Sequence, residues 1–85
     1  MKIRYSKKAI KFLQKIGSKQ AQRIRDAILG LTEKPPVGDI KPLSGTSDSF
    51  RLRVGAYRVI YRYGYEGEIE VLLIDDIGNR GDVYK

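Results

Sequence analysis

The sequence predicts an α+β fold: an N-terminal strand, then a helical hairpin packed on one face of a mostly antiparallel four-stranded sheet. Three observations carry this. Apolar residues recur at helical spacing between residues 6 and 31, whereas between residues 50 and 74 they alternate or run together as in strands. A Pro/Gly/Ser/Thr/Asp-rich stretch from Lys34 to Ser49 separates the two regions and reads as a connecting loop, not a domain boundary. With 85 residues, the chain is expected to form one domain, residues 1–85, around a single modest core.

Each element follows in order. MKIRY alternates as a short strand, with Ile3 and Tyr5 on one face. Ser6 is placed as the N-cap of a helix reaching about Ile16, in which Ala9, Phe12, Leu13 and Ile16 form the apolar stripe and Gly17 the stop. Lys7, Lys8, Lys11 and Lys15 fall on its other face. Ser18 is read as the cap of a second helix, with Ala21, Ile24, Ala27, Ile28 and Leu31 as its stripe, ending before Pro35 and Pro36. The short linker makes the pair a helical hairpin.

FRLRVGAYRVIYRY, from Phe50 to Tyr63, reads as a β-hairpin, because Gly55 suits the first central position of a two-residue type II′ turn. That turn sets Val54 opposite Tyr57, Arg53 opposite Arg58, Leu52 opposite Val59, Arg51 opposite Ile60 and Phe50 opposite Tyr61. Phe50, Leu52, Val54, Tyr57, Val59 and Tyr61 then share one face, and Arg51, Arg53, Arg58 and Arg62 the other. GYEG supplies the next turn, and EIEVLLI, from Glu68 to Ile74, is apolar on both faces as a central strand should be.

Charge and composition narrow the chemistry. The net charge is +7, distributed as +8 over residues 1–34, +3 over 35–63 and −4 over 64–85. Such a basic excess favours a polyanionic partner, since neutralising phosphates releases condensed counterions. With no Cys and no His, the chain excludes disulfides, Cys/His zinc sites, thiol nucleophiles and His-based triads. Asp75 and Asp76 are adjacent in an extended segment and face opposite ways, so no metal site is expected. No run approaches the ~20 apolar residues of a membrane span and no signal-peptide core is present, so a cytoplasmic protein is expected.

Four guanidinium groups on one strand face call for a counterpart. Arg53 opposite Arg58 is a like-charge pair, and no acid within the two strands relieves it. Planar, permanently charged forks in that arrangement suit a concave phosphate site. Arg80 and Tyr84, in the terminal DDIGNRGDVYK, can add a fifth guanidinium and a phenol at its rim.

The opening strand, the Lys-rich hairpin, KPLSG at Lys41 to Gly45, FRLRVGAYRVIYR and the final IGNRGDVY together resemble the RelE/ParE toxin superfamily of toxin–antitoxin pairs. The resemblance covers nearly the whole chain and implies the RelE-like fold. It is closer to the RelE branch, whose members cut messenger RNA in the ribosomal A site, than to the ParE branch, which poisons DNA gyrase. It implies that Arg51 and Arg53 stand where RelE enzymes carry two basic residues, often lysines. Arg58 matches the arginine of the Y-R pair, Arg80 that of the G-x-R segment, and Tyr84 the tyrosine near the C-terminus; Asn79 stands where many relatives have histidine.

The function this implies is a ribosome-dependent mRNA endoribonuclease that inhibits translation. The ribose 2′-hydroxyl attacks the scissile phosphate without metal or other cofactor. Arg51, Arg53, Arg58, Arg80 and Tyr84 are the expected catalytic residues, and Arg62, Lys7, Lys8, Lys11 and Lys15 the expected RNA contacts. The implied partners are mRNA, the ribosome and a cognate antitoxin docking on the lysine or arginine face. Two other readings stand beside it: a gyrase inhibitor without nuclease activity, and a basic nucleic-acid-binding module with no enzymatic role.

Overall fold

The computed structural model describes residues 1–79. In chain order these form strand β1 (Lys2–Tyr5), helix α1 (Lys7–Lys15), helix α2 (Ser18–Leu29) with a 3₁₀ turn at Gly30–Thr32, and strands β2 (Asp39–Pro42), β3 (Ser49–Val54), β4 (Tyr57–Glu66) and β5 (Ile69–Asn79).

Ser6 caps α1 as its sequence position predicts. Its hydroxyl accepts from Ala9 N–H at 3.0 Å and donates to the Asp75 carbonyl at 2.8 Å, so one side chain both starts the helix and anchors it to the sheet. At α2 the cap is Gly17, with φ of 91°, and Ser18 is already the first helical residue with no capping hydrogen bond. The tight linker explains this difference: reversing direction between two helices so close together requires the left-handed region, which glycine enters without strain.

The strands form one five-stranded sheet in the order β1-β5-β4-β3-β2. All neighbours are antiparallel except β1 and β5, which run parallel from Lys2↔Val71 to Tyr5↔Ile74. The four strands expected from sequence become five because β2 lies inside the stretch read as loop. It pairs with β3 from Asp39↔Arg53 to Pro42↔Phe50. DIKP has only Ile40 as an inward apolar residue, so the strand is created by pairing and carries no alternation of its own.

The β3–β4 register agrees residue for residue with the one the turn implies, from Val54↔Tyr57 to Phe50↔Tyr61. Gly55 has φ of 58° while no non-glycine residue among the described residues, Ala56 included, has positive φ, as a type II′ turn requires. β4 and β5 both run longer than expected. The turn is confined to Gly67 and Glu68, and β5 continues through Asn79 across an irregularity where Ile60 faces Asp76 but Tyr61 faces Ile74. Asp75 is the extra residue of this bulge.

Both helices pack on the sheet face carrying the apolar alternation. Ala9, Leu13, Ala21, Ile24, Ile28 and Leu31 meet Leu52, Val54, Val59, Tyr61, Leu72, Ile74 and Ile77 in one cluster. Burying each large side chain here contributes about 1.5–3 kcal/mol. Phe50 stacks on Tyr61 with centroids 5.5 Å apart, and the Tyr63 hydroxyl donates to the Leu31 carbonyl at 2.7 Å, tying the end of the hairpin to the sheet. Between β1 and β4, β5 is buried on both faces, as its apolar run implies: Leu72 and Ile74 on the helix side, Val71 on the other.

Candidate functional site

The sheet face away from the helices carries Arg51, Arg53, Arg58 and Arg62, because strict alternation on β3 and β4 sends these positions opposite to the core residues. Ile60 is buried among them, so arginine stems share this face with an apolar side chain. A cleft of about 280 Å³ opens here, lined by Arg51, Arg53 and Arg58 and walled by Lys41, Pro42, Leu43 and Ser44. The wall is held in place by a compact loop: Leu43 N–H donates to the Ser49 carbonyl at 2.9 Å, and the Thr46 hydroxyl to the Leu43 carbonyl at 2.9 Å.

Within the cleft the three arginines are not equivalent. Arg51 is only 4% exposed, its Nη1 donating to both the carbonyl and Oδ1 of Asp39 at 3.4 Å. The register sets Arg51 between Lys41 and Ile60, and its guanidinium reaches back to Asp39 of β2. Arg53 is more open, its side chain 37% exposed, with Nε 3.9 Å from Asp39 Oδ2, which is beyond hydrogen-bond reach. Arg58 is half-buried directly across from it.

One transverse row therefore runs Asp39, Arg53, Arg58, Gly78 across β2, β3, β4 and β5. An acid near Arg53, missing from the two arginine strands, comes from β2. Sequence reasoning missed both Asp39 and Lys41 as site residues, since β2 was read as loop; the one signal was the KPLSG motif beginning at Lys41.

The remaining expected residues lie elsewhere. Arg62 is four positions from Arg58 along the same face of β4, about 13 Å at 3.3 Å per residue. Its guanidinium is engaged by Asp75, Nε to Oδ2 at 2.8 Å and Nη2 to Oδ1 at 3.4 Å, and this hydrogen bond raises its pKa. Lys7, Lys8, Lys11 and Lys15 are exposed on α1, on the helix side of the sheet. Lys8 pairs with Asp76 of β5 at 3.1 Å. Arg80 and Tyr84 lie outside the described residues.

Asp75 and Asp76 thus serve separate cations, Arg62 and Lys8. Among the described residues no three acidic side chains gather closely enough to hold a metal ion. A second cleft, of about 320 Å³, is lined by Met1, Leu31, Pro35, Pro36 and Tyr63 beside a Lys34–Glu70 ion pair of 3.0 Å. It contains no arginine.

The model of the family described as ParE toxin of type II toxin–antitoxin system, parDE, matches residues 3–84, and the chain belongs to that family. It is a toxin of a type II toxin–antitoxin system. No curated relative matches the chain.

Solved structures agree on the fold. The archaeal RelE–RelB complex from Pyrococcus horikoshii OT3 aligns with a TM-score of 0.70 and 29% identity, over 95% of this chain and 96% of that one. The isolated E. coli RelE toxin gives 0.71 and 21%, over 98% and 89%. The YoeB/ParE toxin from Agrobacterium tumefaciens gives 0.72 and 19%, over 94% and 99%. At the last two identities the likeness is one of fold.

Proposed function

We propose that the chain, as one domain over residues 1–85, is a ribosome-dependent mRNA endoribonuclease that cuts in the A site and so inhibits translation. The observation that carries this reading is the transverse pair Arg53–Arg58 lining a cleft of about 280 Å³, with Lys41 on its wall. Two guanidiniums side by side on a rigid sheet grip one phosphate and stabilise the extra negative charge of a pentacoordinate transition state. The nucleophile is the adjacent ribose 2′-hydroxyl, which needs no metal or other cofactor. Arg51, locked under β2, positions the strand and its neighbours. Arg80 and Tyr84 complete the rim, and Arg62, Lys7, Lys8, Lys11 and Lys15 contact RNA of the ribosome or message through its backbone.

The partners are mRNA, the ribosome and a cognate antitoxin, and the place of action is the cytoplasm. The antitoxin assignment draws support from the RelE–RelB complex of Pyrococcus horikoshii OT3, which is a toxin–antitoxin assembly of the same fold. Docking on the arginine or lysine face is expected, and a complex leaving Lys7, Lys11, Arg51, Arg53 and Arg58 all as accessible as in the free toxin would refute it.

The family match favours a second reading, because it is to a ParE toxin model: inhibition of DNA gyrase without nuclease activity. One experiment separates the two. Purified protein is added to ribosomes programmed with a defined mRNA, with a gyrase supercoiling assay in parallel. Cuts in the A-site codon that disappear in Arg58→Ala support the nuclease. Intact mRNA with trapped gyrase–DNA complexes supports the inhibitor.

A further inference from the structure

We infer that Asp39 is a catalytic residue of this site, the group that takes the proton from the attacking ribose hydroxyl; the inference rests on the ribonuclease reading above. The reaction needs a proton acceptor beside the phosphate. The arginines of the cleft cannot serve, since a guanidinium stays protonated and offers no lone pair. A charged lysine also has no acceptor, and a serine hydroxyl such as that of Ser44 is too weak a base to hold the proton. Asp39 is the one carboxylate that the described residues bring to the Arg51–Arg53 pair.

Its placement suits the role. Asp39 is held from one side by Arg51 Nη1 on Oδ1 at 3.4 Å, while Oδ2 stands 3.9 Å from Arg53 Nε without a hydrogen bond to it. The side chain is 53% exposed. One oxygen is thereby anchored, and the other stands beside Arg53, one of the arginines that line the cleft. Adjacent strands lie about 4.8 Å apart. A phosphate on Arg53 and Arg58 therefore sits about one strand spacing from this carboxylate, which is the distance at which its neighbouring ribose would stand. Asp39 occupies one end of the row and Gly78 the other.

In the step, the 2′-hydroxyl proton passes to Asp39 Oδ2 as the 2′-oxygen bonds to phosphorus. The phosphorus–O5′ bond breaks and the departing 5′-oxygen takes a proton from water. The products are a 2′,3′-cyclic phosphate and a 5′-hydroxyl end, after which Asp39 returns its proton to solvent.

The test compares the native protein with Asp39→Asn and Asp39→Glu in single-turnover cleavage on programmed ribosomes. Binding is measured separately with an uncleavable mRNA carrying 2′-deoxyribose at the cut position. Asp39→Asn is expected to cut at least about 100-fold more slowly while binding the uncleavable mRNA as tightly as native, or tighter, because an internal counter-ion has gone. Asp39→Glu keeps the charge, and with it the contact to Arg51. It moves the carboxylate by one methylene and is expected to be slower by about 10–100-fold with unchanged thermal stability, a readout that survives even if Asp39→Asn fails to fold. Either folded variant cutting at the native rate overturns the inference and leaves the ribonuclease reading standing. Native protein that leaves the mRNA intact overturns both.

Discussion

Arg51 and Arg53 are two residues apart on one face of β3, yet the fold gives them different physical tasks. Arg51 is buried beneath β2 and its removal empties a packed position, so Arg51→Ala is expected to lower stability by about 1–3 kcal/mol in urea unfolding. Arg53 is exposed enough that its long contact with Asp39 is worth little. Its removal also relieves the juxtaposition with Arg58. Arg53→Ala is therefore expected to leave the thermal midpoint unchanged or raised while cleavage on ribosomes falls by about 10²–10³-fold. A stability loss as large as that of Arg51→Ala would show that Arg53 is structural and would weaken the phosphate-site reading.

At the scale of elements, the Ser6 hydroxyl joins α1 to the sheet through two hydrogen bonds. Ser6→Ala is expected to cost about 1–2 kcal/mol, more than a cap on an isolated helix, because the Asp75 carbonyl also loses its donor. Urea denaturation of the variant measures it, and a neutral result would mean that water replaces both bonds. The elements were legible in the sequence wherever local chemistry and periodicity agreed. Gly55 in a two-residue turn fixed the parity of both flanking strands, which is why Arg53 could be set opposite Arg58 from sequence. β2 was illegible for the converse reason. Asp39 and Pro42 are poor strand formers, and only pairing to β3 makes their segment extended. Asp39, which that strand alone delivers, was hidden with it.

On the scale of the whole molecule, Tyr61, Tyr63 and Tyr5 all have their phenol pKa raised, with burial as the first cause. The sign follows: where the folded pKa exceeds the unfolded one, stability is full below the unfolded value and is lost as pH rises toward the folded one. Urea midpoints should therefore be flat up to about pH 10, the ordinary tyrosine range, and fall above it. Tyr61→Phe should fall less steeply over the same range; an identical slope would show that burial does not raise the Tyr61 pKa in the folded protein.

The parallel pairing of β1 with β5 also has a consequence for how the protein comes into being. β5, bonded to β1 on one side and β4 on the other, is the last of the described strands to be synthesised, and its partner β1 is the first. A nascent chain halted before Ile69 lacks Leu72, Ile74 and Ile77 from its core and leaves β1 and one side of β4 unpaired.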